Sequence, residues 1–171
     1  YRMPYLLRGL KITRPNQVWS IDITYIPMLH GFMYLTAIID VYSRSIMAWG
    51  LHNTLDKENS IEVLQMAIES HGAPEIINSD QGSQYTSQLW LSTCEKYGIK
   101  VSMDGRGRCK DNIWIERFWR TIKTEYIYIN PEDNVPRLRE GIRDYIGYYN
   151  NRRCHQGIAH EIPMERYRNA A

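Results

Sequence analysis

Three acidic residues, Asp22, Asp80 and Glu116, are the side chains of this sequence whose types and surroundings suit joint chemistry. Carboxylates are hard oxygen ligands of the kind Mg²⁺ prefers, and Mg²⁺ takes one or two of them alongside water and phosphate. Two such ions about 3.5 to 4 Å apart stabilise both the attacking and the leaving oxygen of an in-line phosphoryl displacement, so at least three acids must converge. Asp80 and Glu116 have 35 residues between them, but Asp22 with Glu58 and Asp104 with Glu140 have the same separation. Local context has to discriminate. Asp22 lies mid-strand on a polar side, Asp80 at the end of a short buried strand, and Glu116 on the polar face of a helix. Ligands of open α/β sheets bind at such carboxyl ends of adjacent strands. Glu58 and Glu140 sit early in amphipathic helices, where a solvated surface role is expected. No convincing nucleophile–base pair accompanies the acids.

The elements that must position them follow from hydrophobic period. Residues 18–26 alternate, with Trp19, Ile21, Ile23 and Tyr25 on one side and Ser20, Asp22 and Thr24 on the other, which is a strand with one partly polar face. Gly31 turns the chain into the continuous apolar run 34–39, and 46–51 follows, so an antiparallel meander is expected. Ile61, Leu64, Ile68 and His71 then fall at helical spacing, with Thr54 or Asp56 as caps and Gly72 and Pro74 closing the helix. A buried strand over 75–79 runs into a loop at Asp80 and Gly82. A second helix is capped by Ser87, lined by Trp90, Cys94 and Tyr97, and stopped by Gly98; a fifth strand covers 99–103. Residues 104–110, with Gly105, Gly107 and several cations, read as a mobile loop. Asp111 is expected to cap the next helix. Its apolar stripe is Ile115, Phe118, Ile122, Tyr126 and Ile129, opposite Asn112, Glu116, Arg120 and Lys123. A last helix spans 135–150, followed by a tail with Arg152, Arg153, His155 and Gln156.

Three strands and then strand–helix alternation predict an α/β protein with a mixed five-stranded sheet, the first three strands antiparallel and the last two parallel, flanked by helices. That is the plan of a ribonuclease H-like fold. The expected division is a basic linker or extension over 1–16, a core over 17–130 and a helical extension of the core over 131–171.

Composition excludes several classes. With 171 residues, 43% hydrophobic and 23% charged, the chain suits one ordinary globular domain, and no apolar run reaches the roughly 20 residues of a membrane span. The opening residues lack the apolar middle of an export signal, so a cytoplasmic location is expected. Cys94, Cys109 and Cys154 form no pair and read as free thiols, and His155 and His160 have no cysteine pair to complete a zinc site. Net charge is +2, but residues 1–104 carry eight Lys/Arg against ten Asp/Glu while 105–171 carry thirteen against nine. Arg106, Arg108, Lys110, Arg117, Arg120 and Lys123 crowd one stretch, a footprint for a polyanion. Tyr145, Tyr148 and Tyr149 either stack on bases or, as is commoner for such a cluster, pack a helix on the sheet. Asp40, Ser43 and Arg44 read as a turn lock, and Asp104 as a loop-shaping acid.

At these residues the sequence resembles the integrase core of bacterial transposases of the insertion sequence three family, relatives of retroviral integrases, from about Gln17 to Tyr167. The landmarks are Trp19 to Thr24 around Asp22, Tyr34 to Asp40 with Ser43 and Arg44, and Asn78 to Tyr85 around Asp80. Asp111 and Asn112 with Glu116 and Lys123 come next, then Tyr148 to Asn150 with Arg153, His155 and Gln156. The Asp80-to-Glu116 spacing is the familiar one. Trp119 stands where such proteins often have Phe, a change expected to affect packing and not chemistry. The resemblance implies a metal-binding, catalytic triad of Asp22, Asp80 and Glu116, holding two Mg²⁺ or Mn²⁺ ions. It also implies a Lys123 that contacts DNA near the scissile phosphate, as a cation there can. Asn112, Arg120, Arg106, Arg108, Gln84 and Tyr85 are further candidates for DNA contact; a capping role for Asn112 and a core role for Tyr85 stand beside that reading.

The activity implied is cleavage of DNA at transposon ends and strand transfer into target DNA, acting on the nucleoid as a homo-oligomer. Water and then the freed 3′-hydroxyl attack phosphodiesters in turn. The alternatives are a ribonuclease H-like or resolvase-type nuclease and a non-catalytic DNA-binding assembly module.

Overall fold

A computed structural model of the chain describes residues 3–106 and 108–170. Tyr1, Arg2, Gly107 and Ala171 lie outside the described residues, as do the side chains of Cys109 and Lys110, and with them what the sequence suggests for Gly107, Cys109 and Lys110.

The alternating and apolar segments form β1 (Val18–Pro27), β2 (Phe32–Asp40) and β3 (Ile46–His52), paired antiparallel with Asp22 opposite Ala37 and Tyr25 opposite Tyr34. β2 is buried from Leu35 to Asp40, as expected for an apolar run covered on both faces. Helix α1 (Lys57–His71) returns the chain across the sheet and stops where Gly72 takes a φ of 79°. Its N–H caps the Ile68 carbonyl at 2.8 Å in a conformation that a side chain would strain. β4 (Ile76–Ser79) then pairs parallel to β1, and β5 (Lys100–Met103) parallel to β4, giving the order β3-β2-β1-β4-β5. Between them lie α2 (Ser83–Thr86) and α3 (Gln88–Lys96), the latter capped by the Ser87 hydroxyl accepting from the Trp90 N–H at 3.2 Å. α4 (Ile113–Ile122), α5 (Val135–Asn151) and α6 (Pro163–Asn169) complete the chain. This is the mixed, ribonuclease H-like sheet that the sequence predicts.

Strand alternation divides the core between two faces. Ile26, Leu35, Ala37 and Ile39 pack under α4 and α5 against Ile115, Phe118, Ile122, Ile142 and Tyr149. Trp19, Ile21 and Ile38 face the other way, onto Leu64, Ala67, Trp90 and Cys94 of α1 and α3. Tyr145 and Tyr149 belong to the first cluster, so these two tyrosines pack the terminal helix and are not free to stack. Asn150 secures α5 to β3 through both backbone groups of Ile46, at 2.8 and 3.0 Å. Asp40 forms the turn lock with the N–H and hydroxyl of Ser43, at 2.9 and 2.6 Å, while Arg44 turns to the Val41 carbonyl.

Four local expectations differ. α4 begins at Ile113, after a 3₁₀ turn over Cys109–Asn112, because the Asp111 carboxylate accepts from the Gly105 N–H at 3.0 Å and ties the loop together instead of capping the helix. The apolar stripe ends early, with Ile127 buried and Ile129 exposed, because Lys123–Ile127 form a π-helical turn whose wider winding shifts the phase. Asn112 shares a cleft with Glu116 but is buried there, not solvated. Two short helices, α2 and α6, stand where loop and tail were expected; four and seven residues carry too little period to read. No helix among the described residues is long and apolar enough to cross a membrane.

Candidate active site

Parallel pairing of β1 with β4 places the first two acids. The last matched pair is Ser20 with Asn78, and Asp22 and Asp80 each lie two residues beyond it, so the two emerge side by side. Asp80 sits where the chain leaves β4, and its Oδ1 accepts from the Gly82 N–H at 2.7 Å. A Cβ on Gly82 would lie 2.8 Å from that oxygen and 2.9 Å from Gln84 Oε1, so a side chain there would make the Asp80 and Gln84 side chains shift.

The polar face of β1 is answered residue by residue from the α4 region. Ser20 bonds to Asn112, Asp22 Oδ2 accepts from the Trp119 indole N–H at 3.1 Å, and Thr24 Oγ1 accepts from Lys123 Nζ at 2.6 Å. The fit is geometric, since two strand residues and one helical turn each advance about 6 Å, so Asp22 and Thr24 meet Trp119 and Lys123 in register. Glu116 lies one turn before Trp119 and Arg120, with its side chain exposed. Asp22, Asp80 and Glu116 thereby line one open cleft of about 440 Å³, together with Asp104, Arg106, Arg108 and Asn112.

The cleft is electrostatically loaded. Burial pushes Asp22 up to about 8, and the charges of Asp80 and Glu116 add to that, against the opposing Trp119 and Ile23 hydrogen bonds. Asp104, buried at the end of β5, is pushed up to about 6 by burial and then by Asp111, Asp80 and Glu116, with Asn78 opposing. Asn78 is the hub of that wall, donating to Asp104 Oδ1 at 2.7 Å and accepting from the Ser102 hydroxyl at 2.8 Å. Lys123 is lowered by burial, while Glu116 and Asp22 hold its charge in place. Among the described residues no three His, Cys, Asp or Glu side chains stand in position to grip one metal ion together. Asp22 and Asp80 instead occupy local N–H donors.

The other sequence candidates divide among neighbouring depressions. Arg120 and Lys123 line a separate cleft of about 470 Å³ beside Glu116, with Arg117 and Trp119. Gln84 and Tyr85 line a recess of about 180 Å³ that shares Asp22 and Asp80 with the main cleft. The Tyr85 ring is buried edge-on against Trp90. Trp119 corrects an expectation: it stands in contact with Asp22, so the change from Phe adds a hydrogen-bond donor and does not merely repack the core. Its position three residues after Glu116, on the side turned toward the sheet, was the available signal. The Asn78–Ser102–Asp104 wall has no linear motif and is visible only once β4 and β5 pair.

The integrase core domain family matches residues 12–109, and a second integrase core domain family matches 97–163. The transposase for insertion sequence element IS904 of Lactococcus lactis is 38% identical over 158 residues, covering 91% of this chain and 62% of its own length. The putative transposase InsK for IS150 of Escherichia coli is 32% identical over 167 residues, covering 96% and 58%. The chain thus spans about three-fifths of the length of these relatives. Among solved structures, the HTLV-2 integrase catalytic core domain in complex with magnesium superimposes with a TM-score of 0.72 at 21% identity, over 90% of this chain and 97% of that one. A chain of the simian T-cell lymphotropic virus intasome in complex with PP2A regulatory subunit B56 gamma superimposes at 0.75 and 21%, over 85% and 52%. Sheet order, family match and relatives agree: the chain belongs to the integrase core domain family, on the branch of the insertion sequence three transposases.

Proposed function

We propose that this chain is the catalytic core of a DNA transposase that cuts DNA at the ends of a mobile element and joins them to target DNA, with Asp22, Asp80 and Glu116 holding two Mg²⁺ or Mn²⁺ ions. The observation that carries the reading is the convergence of three acids from β1, β4 and α4 on one cleft, in a chain related to transposases. The donor set fits the ions: all three offer carboxylate oxygens, and the burial that chiefly raises Asp22, with the smaller push of the Asp80 and Glu116 charges, is offset when a cation replaces its proton. Magnesium in the structure of the HTLV-2 integrase core supports the choice of metal. When bound, such ions supply Lewis acidity and neutralise charge on the attacking and leaving oxygens.

The remaining work falls to the protein. A water oxygen bonds to phosphorus at the element's end as the bond from phosphorus to O3′ breaks, which leaves a 3′-hydroxyl. That hydroxyl oxygen then bonds to a phosphorus of the target as another P–O bond breaks, so one phosphodiester is exchanged for another and no covalent link to the protein forms. Arg106 and Arg108 on one side of Glu116, and Arg120 and Lys123 on the other, bind strand phosphates and orient them for in-line attack. Joining two ends calls for a homo-oligomer acting on the DNA of the bacterial nucleoid, in the cytoplasm.

Full-length protein with Mg²⁺ and end-bearing DNA is expected to release 3′-hydroxyl ends and join them to a target duplex, with no comparable hydrolysis of RNA–DNA hybrids. Hybrid hydrolysis without joining would move the chain to the ribonuclease H-like nucleases. Neither reaction, and no Mg²⁺-induced rise in melting temperature, would make it a non-catalytic module. A phosphate contact by Lys123 predicts a further result: in Lys123→Ala the slope of log affinity against log salt becomes shallower by about 0.9, measured by DNA titration at several salt concentrations. An unchanged slope removes Lys123 from the interface.

A further inference from the structure

The recess that shares Asp22 and Asp80 with the main cleft differs in kind from the two clefts that carry cations. It is walled by Tyr25, Tyr34, Leu55 and Gln84, and among the described residues its lining includes no Lys, Arg or His. Two of its lining residues, Tyr25 and Tyr34, form a mutually contacting cluster with Phe32 of β2, with ring centroids 5.1 to 5.2 Å apart. Cross-strand packing explains their contacts with one another. It does not explain why Tyr25 and Leu55 remain 57% and 42% exposed in the lining of a recess that shares Asp22 and Asp80 with the main cleft, with Phe32 49% exposed against Tyr25. Asp22 and Asp80 line both this recess and the main cleft, but only the other two clefts add cations, Arg106 and Arg108 in one and Arg117, Arg120 and Lys123 in the other, so strand phosphates have partners there and none in the lining of the recess. The occupant that suits the space is uncharged, planar and covalently attached to a strand already lying in the cleft.

We propose that the recess receives one unpaired nucleobase of the DNA strand that crosses Asp22 and Asp80, stacked against Tyr25 and Tyr34 with its edge met by the Gln84 carboxamide. Gln84 is available for this, since its Nε2 makes only a long 3.4 Å contact to the Leu55 carbonyl. Aromatic rings accept any base by its face, and an amide can bond to any base edge, so the recess does not demand one sequence. Rotating the base beside the reacting phosphate out of the stack would open the backbone there to in-line attack. The inference rests on the reading of the chain as a DNA-processing core, and deepens it by assigning where the flanking base goes.

The test compares binding of full-length protein to two end-bearing duplexes, without divalent metal, that differ only in whether the nucleotide flanking the scissile phosphate carries an unpaired base or is abasic. Wild type is expected to bind the base-bearing duplex about 5- to 150-fold more tightly, the range for one stacked base. Tyr25→Ser with Tyr34→Ser should reduce that preference, leaving affinity for the abasic duplex unchanged, and Gln84→Ala should separately reduce the ratio of the two affinities. Tyr25→Leu keeps the cross-strand apolar contact and should still weaken the preference, which separates stacking from a loosened hairpin; melting temperatures check the fold. Equal binding of the two duplexes by wild type, or a preference surviving all three variants, overturns the proposal. Strand transfer by the same wild-type preparation in Mg²⁺ reports independently on the DNA-joining function, so the two readings fail separately.

Discussion

Replacing Glu116 with glutamine, or Asp80 with asparagine, is expected to abolish Mg²⁺-dependent joining of element ends while leaving the fold intact. Both side chains are exposed, and neither substitution changes side-chain size, so packing is untouched. A carboxylate lost from a two-ion site removes several kcal/mol of charge stabilisation in the transition state. At about 1.4 kcal/mol per tenfold in rate, the loss is about 1000-fold or more. Strand-transfer assays with full-length protein, alongside thermal melts of the same preparations, check it. Joining at more than a tenth of the wild-type rate would remove that residue from the triad.

The second large effect is on stability. Phe118 is buried on the side of α4 turned away from Glu116, 4.9 Å from the Tyr149 ring and 5.4 Å from Trp119 between ring centroids. Phe118→Ala leaves a cavity where α4, α5 and the sheet meet, at a cost of about 3 to 5 kcal/mol. For a chain of this length that lowers the melting temperature by about 6 to 20 °C. Arg117→Ala, its exposed neighbour, should remain within about 0.5 kcal/mol of wild type. Calorimetry of both variants makes the comparison, and a Phe118→Ala protein that melts with wild type would show that α4 is held to the sheet by other means.

The legible parts of the chain are those where one residue pattern maps onto one element. The alternation over Val18–Pro27 and the apolar run of β2 both give their strands and their faces, and the helical spacing from Ile61 to His71 gives α1. The three acids are legible because each stands at a recognisable place in such an element. What escaped the sequence are relations between elements. Asn112 reads as surface by helical phase, yet it is buried because Ser20, from a strand 92 residues away, faces it. Asp111 has the composition of a cap, but a nearer donor, the Gly105 N–H, captures it. Trp119 looked like a packing variant because an indole N–H acquires meaning only when its acceptor is known. The π-helical turn after Ile122 has no residue signature, and it alone exchanges Ile127 for Ile129 in the core.

The opening segment of the chain does more than lead into β1. Pro4 accepts from the Met103 N–H at 3.2 Å, Leu6 donates to Ser102 Oγ at 2.9 Å, and Leu7 is buried with Val18 and Val41. β5 is the outermost strand on that side of the sheet, and an outermost strand with bare amides is a template for any extended chain that drifts past. Residues 3–7 therefore act as a built-in shield. A version of this protein shortened to begin at β1 would carry an adhesive margin on the strand that leads into Asp104, beside the cleft that Asp104 lines.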